Sequence, residues 1–176
     1  MPFPLYQRQV LPRLLVLLAV LMLSACGFHL RGSVNLPFRT IYLGFAGDSS
    51  LGAELKRSLR TGGVKVVDQV AEAEAVMQVL ADTREKKILS LGTNGRVREY
   101  SLYQRFRFQI KDQAGKILVA PTDIALKRDV SYDASQELAK QSEETLLYRD
   151  MQSDLVQQIL RRLSAAKPGS VEPIKE

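Results

Sequence analysis

Few side chains in this sequence are equipped for reaction chemistry, and their spacing does not favour it. There is one Cys, Cys26, and one His, His29. A single Cys excludes an intramolecular disulfide framework and a thiolate-rich zinc site, and a single His excludes any two-His metal motif. No P-loop, G-x-S-x-G elbow or H-E-x-x-H run occurs. His29 lies three residues from Cys26 on an expected linker, where no walled site surrounds it. Glu143 and Glu144 are neighbours on an expected helix, so they point in different directions and make a poor acid/base pair. Metal binding by Glu72 and Glu74 has little support. The reading is a protein that is not an enzyme and uses no cofactor and no metal.

The basic residues suggest binding instead. Arg96 and Arg98 follow an Asn94-Gly95 turn, and Arg105, Arg107 and Lys111 alternate along the next segment. Arg128 and Lys140 fall near the end of the last expected strand and the start of a long helix. Guanidinium forks suit phosphate and carboxylate groups. The competing reading for each residue is an ordinary solvated sheet face.

Stepping outward from these residues, 176 residues with 45% hydrophobic content suit one compact domain. Its N-terminus is exceptional. Arg8 and Arg13 precede an uninterrupted apolar run, Leu14 to Leu23, followed by Ser24, Ala25 and Cys26. A basic start, a short apolar stretch and small residues before a boundary read as a secretory signal. A membrane-spanning helix needs ~20 apolar residues, and Pro12 blocks backward extension. Leu23-Ser24-Ala25-Cys26 resembles the lipobox of bacterial lipoproteins, in which the Cys becomes the acylated first residue. Multiple acyl chains anchor stably, at ~0.8 kcal/mol per buried methylene. Such proteins with Asp after the Cys tend to stay in the inner membrane; Gly27 here implies the outer membrane. Loss of Arg8 and Arg13 with the signal lowers the formal charge from +6 to +4. In the periplasm, nucleic acid is not an expected partner for such a chain, whereas phosphorylated glycolipids are abundant polyanions.

The expected organisation is a signal peptide over residues 1–25, a lipidated tether and entry loop over 26–38, an α+β domain over 39–165 and a loose tail over 166–176. Arg39 to Phe45 reads as a strand with Ile41, Leu43 and Phe45 on one face. Gly47 to Ser50 offers helix caps, and Leu51, Leu55 and Leu59 recur every four residues before Gly62-Gly63. Val64 to Val67 suggests a brief strand, and residues 68–75 are ambiguous. Val76 to Leu91 favours strand, with Asp82 to Lys87 as a charged interruption that suits a bulge or a solvated stretch. After Asn94-Gly95, Tyr100, Leu102, Gln104, Phe106, Phe108 and Ile110 alternate with polar and basic residues, so this strand is half buried. Asp112 to Gly115 is a second turn, and Lys116 to Tyr132 is extended, with Pro121 marking a break or an edge. A long helix follows, roughly Ser135 to Leu163, with Leu138, Tyr148, Met151, Leu155, Val156, Ile159, Leu160 and Leu163 as its apolar stripe. Sequential hairpins predict an α+β fold, two helices packed on one face of a mostly antiparallel four-stranded sheet. The pairing direction of the first strands is left open.

Cys26-Gly27-Phe28-His29-Leu30-Arg31-Gly32 resembles the start of mature LptE, the lipopolysaccharide-assembly lipoprotein family. The Asn94-Gly95 turn is followed by Glu99-Tyr100 at that family's spacing. Leu138-Ala139-Lys140 with Glu143-Glu144 resembles the entry to its last helix, and Asp150-Met151 with Gln157 to Leu163 resembles that helix's end. The resemblance covers roughly Cys26 to Leu163. It implies two helices against a four-stranded sheet, and a plug inside the outer-membrane β-barrel LptD. It also implies a role in assembling that barrel, and direct binding of lipopolysaccharide for delivery to the outer leaflet. Lys140 falls at the family's basic position, so the resemblance makes it a lipopolysaccharide-binding residue. Where relatives can carry Arg in the turn this chain has Thr93, and Arg96 and Arg98 are near enough to substitute. The alternative is a lipoprotein pilot or interaction module of another envelope complex, such as a secretin. An envelope hydrolase is a third reading, which a screen for metal and hydrolytic activity addresses.

Overall fold

The computed structural model describes residues 36–165. Seven regular elements follow in order: β1 (Thr40–Gly44), α1 (Ser50–Thr61), β2 (Lys65–Val67), β3 (Ala75–Leu91), β4 (Val97–Asp112), β5 (Ile117–Ser131) and α2 (Glu137–Ser164). Short 3-10 turns at Val70–Glu72 and Ala134–Gln136 precede β3 and α2. The signal segment, Cys26, His29 and the tail from residue 166 lie outside the described residues.

The sheet corrects the expectation of four mostly antiparallel strands. It has five strands in the order β2-β1-β3-β4-β5. β1 runs parallel to both β2 and β3, while β3, β4 and β5 form an antiparallel meander. The reason is the connection. A helix between β1 and β2 carries the chain back to its starting end, so the next strand enters in the same direction. The fifth strand is β2, only three residues long, where Val64 to Val67 suggested a brief strand.

Local chemistry fixes the helices. The Ser49 hydroxyl accepts from the Gly52 amide at 3.1 Å and caps α1. Gly52 lets α1 lie close to the sheet: a Cβ there would sit 2.8 Å from the Phe45 ring. Leu51, Leu55 and Leu59 are fully buried, as their spacing predicts. α2 carries Glu137 in its first turn and Arg161 and Arg162 in its last, complementing the helix dipole.

Both helices bury their apolar faces against one face of the sheet. Ile41, Met77, Phe106, Phe108 and Ile110 meet Leu51, Leu55, Leu59, Leu155, Val156, Ile159 and Leu163 in one core. Each such side chain contributes about 1.5–3 kcal/mol on burial. Leu138 departs from the predicted stripe: it is 81% exposed, because the first turns of α2 extend past the buried core.

β3 is 17 residues long, but β1 pairs only with Ala75 to Gln78. The rest of the strand has β4 as its only strand neighbour among the described residues. The register slips by one residue at Leu80, between the Val79–Phe108 and Ala81–Arg107 pairs. That bulge reverses the strand's facing. Before it, Ala75, Met77 and Val79 face the helices; after it, Asp82, Arg84 and Lys86 do, opposite Phe106, Gln104 and Leu102. The charged interruption is therefore a paired strand whose charges are turned toward α2. β5 is the edge strand that Pro121 suggested, and its register with β4 is irregular between Thr122 and Val119.

Candidate functional site

The predicted cations do not form one patch. Arg105, Arg107 and Lys111 lie on the open face of the sheet, away from both helices, as direct pairing of Arg105 with Thr83 and Phe106 with Asp82 requires. There Arg107 approaches Asp123 at 3.6 Å. Tyr103 stands among Lys87, Arg105 and Lys127, whose charges sit 5.5, 5.8 and 5.9 Å from its ring centre. Arg128 is on the other face: it pairs with Leu102 across the sheet and donates to Asp154 of α2 at 2.8 Å.

Lys140, Arg96 and Arg98 belong to the end of the molecule where the β3–β4 turn, the end of β5 and the start of α2 meet. The turn closes through Gly92 N–H to the Arg96 carbonyl at 2.7 Å, and Asn94 Oδ1 accepts from Arg96 N–H at 3.1 Å. Gly95 takes φ 75°, a value that Asn-Gly sequences favour. Arg96 and Arg98 are exposed. The Arg98 carbonyl accepts from Tyr132 N–H at 2.7 Å, which ties the base of the turn to the end of β5.

Tyr132 in turn lines a cavity of about 190 Å³ with Lys86, Tyr100, Ser131, Lys140 and Glu144. Lys140 Nζ donates to Ser131 Oγ at 3.0 Å and to Glu143 Oε2 at 2.8 Å, and its side chain is 18% exposed. Lys86 Nζ donates to Glu144 and lies 4.3 Å from the Tyr100 ring centre. Burial works against the Lys86 charge, but hydrogen bonding and attraction from Glu144 outweigh it, so its pKa is raised. Tyr100 and Tyr132 pack edge to face at 5.3 Å. The cavity thus offers two ammonium groups, two aromatic rings and two acids that hold those ammoniums in place.

Lys86 was not singled out from the sequence. The signal available was its place in the charged run Asp82 to Lys87, but only the bulge at Leu80 turns it toward α2. The acidic candidates resolve into structural roles. Glu74 Oε2 accepts from Arg39 N–H at 2.8 Å, and Glu143 and Glu144 each hold a lysine. No group of three or more His, Cys, Asp or Glu side chains able to hold a metal occurs among the described residues. Another cavity, about 330 Å³, opens beside β1, α1 and β2; it contains the Lys56–Asp68 ion pair and none of the predicted cations.

A two-helix layer on one face of a mixed five-stranded sheet defines an α+β sandwich domain. The sequence model of the LptE family, described as "Lipopolysaccharide-assembly", matches residues 38–163. The chain belongs to the LptE family. An LPS-assembly lipoprotein LptE from Pectobacterium atrosepticum is 28% identical over 154 residues, covering 83% of this chain and 80% of the relative. One of the same name from Yersinia enterocolitica is 25% identical over 167 residues, covering 93% and 80%. Among solved structures, lipoprotein B from Nitrosomonas europaea superposes with a TM-score of 0.68 at 42% identity, covering 79% of this chain and 91% of that one. The rare lipoprotein B from Shewanella oneidensis gives 0.63 at 27% identity, covering 72% and 94%. The two curated relatives are named as lipoproteins of LPS assembly, and the two solved structures as lipoproteins.

Proposed function

We propose that this chain is an outer-membrane lipoprotein of lipopolysaccharide assembly, anchored by acylated Cys26, that plugs the LptD β-barrel and binds lipopolysaccharide for delivery to the outer leaflet. The observation that carries the reading is the family match across residues 38–163, which includes the end of the domain that carries Lys140, Arg96 and Arg98. Lys140 is partly buried and held by Ser131 and Glu143, so its ammonium is positioned before any ligand arrives. Arg96 and Arg98 stand exposed at the adjoining turn, where their forks suit lipid-borne phosphates. The role is binding and assembly, without an enzymatic step.

The open sheet face supports the plug. A barrel lumen is polar, so its occupant needs a polar wall able to form hydrogen bonds. Thr83, Glu85, Lys87, Tyr103, Arg105 and Arg107 provide one on the face opposite the helices.

The test is an affinity pull-down of the tagged, acylated protein from detergent-solubilised outer membrane, with partners identified by mass spectrometry. A large β-barrel recovered in one-to-one amount is the expected result. Recovery of a secretin, or of no barrel in mild detergent, would overturn the plug. For the ligand, neutral substitutions at Lys140, Arg96 and Arg98 should each weaken lipopolysaccharide binding without unfolding the domain. Unchanged affinity in all three removes those residues from the site.

A further inference from the structure

The seam between β3 and α2 continues past the Lys140 cavity. Two residues before Lys86 on the same face of β3, Arg84 enters a second cavity of about 300 Å³, lined by Ser50, Arg84, Thr145, Tyr148, Arg149 and Gln152. Three elements build it, α1, β3 and α2. Arg84 Nη2 donates to Gln152 Oε1 at 2.9 Å, and its guanidinium lies 5.4 Å from the Tyr148 ring centre. Ser50 Oγ donates to the same Gln152 oxygen at 2.7 Å. Gln152 Nε2 donates to Glu54 at 2.6 Å, which fixes which way the amide points. Glu54 is further engaged by Ser153 at 2.8 Å, and Tyr148 O–H donates to the Glu85 carbonyl at 3.2 Å.

What distinguishes this cavity is its charge. The lysines of the neighbouring cavity are ion-paired, to Glu144 and Glu143, and the β1–α1 cavity holds the Lys56–Asp68 pair. Neither Arg84 nor Arg149 forms an ion pair with a carboxylate among the described residues. Glu85, next to Arg84 in sequence, pairs with Lys87, and neither Asp82 nor Asp150 forms an ion pair with Arg84 or Arg149. Arg84 commits one of its five donors to a neutral amide and leaves the rest of its fork unspent. Two guanidiniums with unspent donors suit a phosphate or carboxylate, while the hydroxyls beside them already donate, Ser50 to Gln152 and Thr145 to the Gln141 carbonyl.

We infer that the Arg84–Arg149 cavity is a second anion subsite, taking a phosphate or sugar carboxylate of the same glycolipid whose other charged group meets Lys140. The inference rests on the lipopolysaccharide reading above for the identity of the ligand, not for the anion chemistry of the cavity. Lys140 and Arg149 are nine residues apart on one helix, a rise of roughly 13 Å at 1.5 Å per residue, and they flank the seam half a turn apart around the helix axis. That distance selects ligands bearing two anionic groups over those bearing one.

The full-length protein in detergent is titrated with lipopolysaccharide. Arg149→Glu, an exposed change away from the core, should weaken binding roughly tenfold with an unchanged melting temperature. Arg84→Gln should weaken it less, and Arg84→Lys should restore only part of the loss because the fork is gone. The loss should multiply with that of Lys140→Gln, since the sites are well separated. Wild-type affinity in Arg149→Glu, with Lys140→Gln still weakened, overturns the subsite and leaves the lipopolysaccharide reading standing. A separate NMR titration with inorganic pyrophosphate reads the Arg84 and Arg149 Nε–H signals. Shifts there in a protein that fails to bind lipopolysaccharide would keep the anion site and discard the reading. No shift together with wild-type behaviour of Arg149→Glu discards the site. Dephosphorylated lipopolysaccharide assigns the group: sensitivity to Arg149→Glu that disappears marks phosphate, and sensitivity that persists marks carboxylate.

Discussion

Where β1 and β2 widen the sheet, Ile41, Met77, Phe108 and Ile110 are fully buried beneath both helices, in a core to which 18 buried residues contribute. Toward the β3–β4 turn, β3, β4 and β5 continue without β1 and β2, and the buried apolar set shrinks to Leu102, Val130 and Met151. Polar contacts take over there: Lys86 with Glu144, Arg84 with Gln152, Arg128 with Asp154, Lys140 with Ser131 and Glu143. The first region has enough apolar area to hold the fold. The second has side chains placed by charge and hydrogen bonding, each worth little to stability but able to exchange partners with an anionic ligand. One sheet thus separates a region held by apolar burial from a region arranged by polar contacts, which is where the proposed binding residues lie.

Substitutions can break or sharpen that contrast. The largest effect should come from Phe108→Ala in the wide core, a loss of about 3–5 kcal/mol in denaturant unfolding. Met151→Ala in the small cluster should cost about 2–4 kcal/mol. It should also raise amide hydrogen exchange at Tyr100 and Val130 while leaving Ile41 and Met77 protected. Equal loss of protection in both regions would show that the sheet unfolds as one unit and dissolve the contrast.

A smaller effect of opposite sign is expected at Gln104. Its residue is 0% exposed and neither polar atom of its side chain has a hydrogen-bond partner among the described residues. Gln104→Leu keeps the volume and removes that cost, so it should stabilise by about 1 kcal/mol. Destabilisation would mean that the amide is satisfied by an ordered water at the boundary between the two regions.

Lys140→Gln should change stability by less than about 0.5 kcal/mol, as expected for a group outside the core, while lowering lipopolysaccharide affinity. The smallest effect is a pH dependence. Because Glu144 raises the Lys86 pKa in the folded state, the stability it contributes is present below the ordinary lysine value of 10.5. It is lost as pH rises through the higher folded value. Lys86→Met should therefore remove one alkaline component from the melting-temperature profile and leave the neutral region nearly unchanged.

Much of this arrangement is legible in the sequence, for local reasons. The alternation from Tyr100 to Ile110 marks the buried face of β4, because successive strand residues point to opposite sides. Leu51, Leu55 and Leu59 mark the buried stripe of α1, and Ser49 its cap, because helix periodicity and capping are set within a few residues. Asn94-Gly95 marks the turn through the φ that glycine allows. The basic residues were legible as types but not as a surface. Arg105 and Arg128 lie on opposite faces, and Arg84 and Lys86 fall in a charged run that suits a bulge or a solvated stretch without saying which way they face.

What the sequence by itself determined is the helices and long strands, the buried faces of α1 and β4, the α1 cap and the Asn94-Gly95 turn. The tertiary structure alone decided the parallel placement of β1 between β2 and β3, the exposure of Leu138 and the line of cations along the β3–α2 seam. The physical reason is range. A residue's backbone preference acts over a few neighbours, whereas strand order depends on where a crossover returns the chain. The single extra residue at Leu80 falls just before the charged run, and it turns the side chains of β3 from Ala81 to Ile88 to the other face until a second bulge at Leu89.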